Sequence, residues 1–281
     1  MKTIEASSIT RAVAELAVKA CCDLPKDMMA GFRQAKETEP SPVGRDILDQ
    51  LIRNAEIASS EQMPICQDTG MAVVFVELGQ DVHIDGGDLE DAVHQGVRQG
   101  YVDGYLRKSM VAEPLFERTN TKDNSPAIIH VRIVPGDQVR IRLAPKGAGS
   151  ENKSVLKMLV PADGIEGVRK VVLDCVQAAG PNSCPPMVIG VGIGGTMEMA
   201  ALCAKRAAAR DLASSNSDPR YAAFEQELLE MVNKTGVGPQ GLGGVCTALK
   251  VHVEWYPTHI ASLPVAVNIN CHAARHAEAV L

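Results

Sequence analysis

Apolar residues recur at every third or fourth position through residues 7–60. Val13, Leu16, Ala17, Ala20 and Cys21 share one helical face, and Pro25, Pro40 and Pro42 divide the stretch into successive helices. Ser8 is placed to cap the first of them. The run MAVVFVEL (71–78) is β-branched and of strand length, and 88–106 returns to helical spacing. Strict alternation then appears in 128–134 and 138–144. With Pro135-Gly136-Asp137 between them, these read as two arms of a hairpin with one wet face. Further on, 164–180 reads as a helix ending at Gly180, 187–193 as a buried strand and 197–213 as an Ala-rich helix. A helix over 219–233 leads to the Gly-rich loop KTGVGPQGLGG, and strands at 245–255 and 262–270 flank YPTHIA. Without a repeat or linker, the pattern predicts an α+β fold: one large mixed α/β domain over 1–281, with a helical amino-terminal layer at about 7–60 and mostly antiparallel or mixed sheets.

Composition narrows the function more than the fold. At 46% hydrophobic and 22% charged residues the chain is globular. No run approaches the roughly 20 apolar residues of a membrane helix, and the amino terminus lacks the apolar core of a secretory signal, so a cytoplasmic protein without a membrane partner is expected. A net charge of -6, with one Trp, four Tyr and four Phe, argues against a nucleic-acid groove. A small metabolite is the better partner.

The eight cysteines carry the candidate chemistry. No CxxC is present, which removes zinc ribbons and thioredoxin-type motifs. Cys21, Cys22, Cys175 and Cys203 fall on predicted helices and Cys246 on a predicted strand, where a cysteine is usually a small buried hydrophobe. Cys66 in PICQDTG, Cys184 in GPNSCPP and Cys271 in NINCHAARH sit instead among turn-forming and polar residues. Three thiolates without a fourth ligand suit a cluster with one open iron better than structural zinc. GVGIGG (190–195) fits the dinucleotide pattern between a strand and a helix. It lacks the acidic residue that should close a second strand, so close backbone packing is the reading favoured over a nucleotide-binding oxidoreductase.

PICQDTG, KGAGSENKS, GPNSCPP with VGIGGTMEMAALCAK, and GLGGVCTALKV followed by PTHIASLPVAVNINCHAARH resemble the iron-sulfur class I fumarase and L-tartrate dehydratase family, in its α subunit or amino-terminal domain. The resemblance runs from about residue 10 to the end. It implies that Cys66, Cys184 and Cys271 hold a 4Fe-4S cluster whose fourth iron meets the substrate, and that Asp68 takes part in proton transfer. It further implies that His259 belongs to the catalytic site and that Gln67, Arg107, Gly149, Asn152 and Lys153 help hold a small dicarboxylate. Ala148 stands where the family usually has a third glycine. Fumarate hydration to L-malate is the first activity the resemblance implies, with L-tartrate dehydratase and mesaconate hydratase as alternatives. The chain ends ten residues after Cys271, where single-chain members continue. An α subunit completed by a β subunit, as α2β2, is therefore expected.

These roles are chemically coherent. Adding water across a carbon–carbon double bond, or removing it, needs help at the hydroxyl and at the carbon-bound proton; a metal ion can serve the first and a carboxylate the second. Arg107 offers a carboxylate a bidentate fork and Lys153 a point charge.

Overall fold

The computed structural model describes residues 2–281. The chain forms β1 (Lys2–Glu5), α1 (Ala6–Cys22), α2 (Lys26–Thr38), α3 (Pro42–Glu61), β2 (Met71–Gly79), β3 (Val82–Asp85), α4 (Leu89–Asp103), β4 (Ile128–Val134) and β5 (Val139–Lys146). It continues through α5 (Ala148–Glu151), β6 (Val155–Leu159), α6 (Gly164–Ala179), β7 (Met187–Gly194), α7 (Met197–Ala208), α8 (Pro219–Asn233), β8 (Ala248–Tyr256), β9 (Leu263–Asn270) and β10 (Ala277–Val280). The class is α+β with mixed sheets, and two compact units divide the chain. None of the helices among the described residues is long and apolar enough to cross a membrane.

The first unit comprises the chain up to Pro25, Ala55–Ala148 and Arg275–Leu281. Its sheet has the order β10-β5-β2-β4, with β2 antiparallel to β5 and parallel to β4. This corrects the expected hairpin. Strands β4 and β5 are consecutive in sequence but do not pair, because β2, the more apolar and better buried strand, takes the place between them. The 135–138 link crosses the end of β2, where the Asp81 amide donates to Gly136 O at 2.9 Å and the Gly79 amide to Gln138 O at 2.8 Å. Helix α1 starts at Ala6, with Glu5 in the cap position, three residues before the expected cap Ser8. It packs on α4, where a methyl at Gly96 or Gly100 would come within 2.6 and 2.7 Å of α1 backbone oxygens. Ile9, Val13 and Leu16 join Val74, Val97, Ile141 and Leu143 in the core, each worth about 1.5–3 kcal/mol when buried.

The second unit comprises Lys26–Asn54 and Gly149–Ala274. Its sheet runs β6-β9-β7-β8, with β7 parallel to β8 and antiparallel to β9. Every residue of β7 is buried, and its alternation separates two faces. Ile189, Val191 and Ile193 pack with Val172, Val176 and Leu228 of α6 and α8. Gly190 and Gly192 face α7 so closely that a methyl on either would lie 2.1 Å from Ala204 O or 2.0 Å from Ala200 O. Close packing accounts for these two glycines of GVGIGG. Cys246 lies just before β8 rather than within the strand, and is buried there. In the same unit the 1% exposed side chain of Glu39 accepts from the amides of Ser41, Val245 and Cys246 at 2.8–3.0 Å, which holds the Gly-rich loop in place.

Candidate active site

In the first unit the site residues are arranged on the loop between α3 and β2. Thr69 anchors that loop: it is 1% exposed, its hydroxyl donates to Arg107 O at 2.9 Å, and its carbonyl accepts from the buried Tyr101 hydroxyl at 2.8 Å. Gly70 has φ 71°, and a side chain there would strike the Lys146 backbone at 2.6 Å. Glycine is therefore required where the loop enters β2. Asn124 donates to Gly70 O at 3.0 Å and accepts from the amides of Ser109 and Met110, tying the Arg107 segment to the same loop. Asp68 is tied twice. Its Oδ1 accepts from the Gly70 amide and its Oδ2 from the Ala148 amide, both at 2.9 Å. The backbone N–H of Ala148, at the position of the missing glycine, is thus already committed to the protein. The fold brings half-buried Cys66, Gln67, Asp68 and Arg107 into one neighbourhood, with the Gln67 and Arg107 side chains exposed.

In the second unit Cys184 and Cys271 are neighbours through the backbone. The turn Gly180–Ser183 ends at Cys184, which has φ 51° and an exposed side chain. The His272 amide donates to Cys184 O at 3.0 Å. Gln240, from the Gly-rich loop, holds Pro185 O through both its amide and its side chain, at 2.8 and 2.7 Å. Asn152 and Lys153 follow α5, which begins with Ala148 and Gly149. Between them and that start lies Glu151, which Lys205 pairs with and to which Asn268 donates at 2.9 Å. His259 is exposed beside a cleft of about 320 Å³ that it lines with Met158, Met199, Tyr256 and Ser262. None of the cysteines lines that cleft. The Ala261 amide donates to His259 Nδ1 at 3.2 Å, so the neutral ring carries its proton on Nε2 and offers a donor there. A larger cavity, of about 530 Å³, lies against Ala30, Gln34, Leu229 and Leu249 and holds none of the predicted residues.

Exposure separates the cysteines. Cys184 is exposed, Cys66 and Cys271 are half-buried, and the other five are buried. Burial pushes the thiols of Cys21, Cys175 and Cys246 up to about 12, and raises Cys22 and Cys203 as well. Such thiols stay protonated and are poor ligands. Among the described residues no three His, Cys, Asp or Glu side chains are gathered closely enough to hold a metal ion as they stand.

A family model described as fumarate hydratase (fumerase) matches residues 10–280. The chain belongs to the fumarate hydratase family. Among curated proteins it is 40% identical over 274 residues to the "Putative L(+)-tartrate dehydratase subunit alpha" of Methanocaldococcus jannaschii, covering 96% of each chain. It is 32% identical over 273 residues to the L(+)-tartrate dehydratase subunit alpha of Escherichia coli K12 and to that of Shigella sonnei, covering 96% of this chain and 89% of theirs. As a fumarate hydratase family member the chain is that of a hydro-lyase. Tyr101, Asn124, Gln240 and Glu39 were not singled out from sequence, although they position the family's motif loops. Each acts on a partner distant in the chain, and nothing in its local sequence marks it.

Proposed function

We propose that the chain is the cluster-bearing α subunit of an iron–sulfur hydro-lyase that adds water to, or removes it from, a small dicarboxylate. The observation that carries this is that Cys66, Cys184 and Cys271, alone among the eight cysteines, are not buried, and each stands in a motif shared with the class I fumarases. Three reachable thiols are soft donors suited to iron, which the five buried thiols are not. In this reading the three hold a 4Fe-4S cluster. When bound, that cluster supplies a Lewis-acidic iron without a protein ligand.

The chain's own residues do the rest. Asp68, held at fixed orientation by the two amides, moves the proton of the substrate carbon. Arg107 and Lys153 offer positive charge to the two carboxylates, and Gln67, Asn152 and the Gly149 backbone complete the polar contacts. His259 presents its Nε2 donor at the edge of its cleft. Fumarate is the substrate supported by the family's description, and L-tartrate the one supported by the relatives' names. Those names, as α subunits, also support a β partner, with α2β2 the expected assembly in the cytoplasm.

Anaerobic purification with a β-type subunit, followed by assays on fumarate, L-tartrate and mesaconate, tests this reading. A brown protein that turns over one of the three is expected. A colourless chain that takes up no iron on anaerobic reconstitution and turns over none would overturn it.

A further inference from the structure

Arg275 is a buried cation with too few partners. Its side chain is 4% exposed. Nη2 donates to the carbonyl of Asp68, while Nε and Nη1 are buried without an acceptor. No carboxylate among the described residues forms an ion pair with it, although Arg210 and Lys205, less deeply buried, pair with Glu225 and Glu151. An arginine cannot shed its charge as a lysine can, and an uncompensated buried ion costs several kcal/mol.

What surrounds the guanidinium does not supply the missing charge. Cys21, Cys22 and Tyr101 feel its field, but burial raises all three and keeps them neutral. The Asp68 carboxylate is already engaged by the amides of Gly70 and Ala148, and only its carbonyl turns to Arg275. That carbonyl lies two residues from Cys66, and buried Cys21 feels both Cys66 and Arg275. The two vacant donors are therefore held next to the Cys66 loop and removed from water.

We propose that Arg275 is a positioning residue that fixes the Cys66–Asp68 loop with one edge of its guanidinium and, with the other, supplies the counter-charge for an anionic iron–thiolate group held at Cys66. This rests on the reading of Cys66 as a ligand given above. Three thiolates outweigh the positive charge of an oxidised four-iron core, so the assembled group is an anion. A buried donor with positive charge beside it slows loss of the metal and raises its reduction potential.

The test compares Arg275→Met and Arg275→Lys with the unaltered full-length chain, reconstituted anaerobically. The readouts are iron release to a chelator, the midpoint potential, and the melting temperature of the cluster-free chain. Arg275→Met is expected to release iron about tenfold faster or more and to shift the potential downward. Without metal it should melt no lower than the unaltered chain, since a buried unpaired charge is gone. Arg275→Lys should keep the potential near the original value, because the charge remains. An Arg275→Met chain that melts lower without metal, yet keeps its release rate and potential, would make the residue merely structural and overturn the proposal. So would a potential in Arg275→Lys as low as in Arg275→Met. If Arg275→Met does not fold, the potential of Arg275→Lys decides. Full cluster retention in Cys66→Ser would instead sink the ligand reading itself, a result independent of either Arg275 variant.

Discussion

Asp68 accepts a hydrogen bond at 2.9 Å from the amide of Ala148, eighty residues further along the chain. The carboxylate assigned to proton transfer is therefore also a fastener between two motif loops. Its other oxygen, on Gly70, fixes its rotation. A base that spends no energy on orientation at the moment of reaction is a better catalyst, but changing it disturbs structure as well as chemistry.

Asp68→Asn should separate the two roles. The variant keeps one carbonyl oxygen for an amide donor and points an NH₂ at the other. Turnover is expected to fall by about 10² or more, with KM little changed, and stability by roughly 1–3 kcal/mol for the lost charge-assisted bond. Steady-state kinetics and urea unfolding on one preparation measure both. Near-normal turnover would remove this carboxylate from the reaction.

Cys184→Ser is expected to lower iron content and abolish activity. Cys203→Ala should leave both in place and cost only packing, because Cys203 is a buried thiol on α7. Iron and sulfide analysis after anaerobic reconstitution reads the difference. Equal iron in both variants would refute the assignment of Cys184.

Glu39→Gln removes half of a carboxylate that accepts three backbone amides from a position 1% exposed. It should destabilise the protein by about 2 kcal/mol or more, since buried N–H groups are left facing a donor. Gly244→Ala should act in the same place, with its methyl 2.6 Å from Glu39 Oε1 at φ 117°. Denaturant midpoints check both. An unchanged midpoint in Glu39→Gln would show that the Gly-rich loop is held by other means.

His252 gives an acid limit to stability. It is fully buried on β8, neither ring nitrogen has a hydrogen-bond partner, and burial, then the charges of Arg210 and Lys250, push its pKa down to about 3. Glu225, 3.9 Å away, does not offset them. Between the ordinary value near 6.5 and about 3, the unfolded chain binds a proton that the folded chain refuses. This contribution is therefore fully present above pH 6.5 and is lost as pH falls toward 3. His252→Leu should move the acid unfolding midpoint to lower pH, as read by circular dichroism. A midpoint that stays put would mean other groups set the limit.

The sequence exposed some layers of this structure and hid others. Long elements with a clean period, α4, α8 and β7, fall where the pattern places them, because one buried face dictates each. The short strands β1, β3, β6 and β10 have too few residues for a period to show. The hairpin reading of 128–144 failed for a physical reason: alternation reports a strand's faces but not its neighbour, and β2 competed better for the central place. That Cys66, Cys184 and Cys271 would escape the burial of the other five cysteines was legible because turn residues surround them. The burial of Arg275 had no mark in its local sequence, since it depends on α1, α4 and the 66–69 loop together.

The two glycines of β7 set distances well beyond their own strand. Without side chains at 190 and 192, α7 sits directly on the sheet, and from there Lys205 reaches Glu151. Glu151 immediately precedes Asn152 and Lys153, the residues proposed to grip the substrate. A single added methyl would act as a shim, lifting the helix and withdrawing the brace behind that grip. If Asn152 and Lys153 grip the substrate as proposed, its affinity is calibrated in part by atoms that are missing from the middle of a sheet.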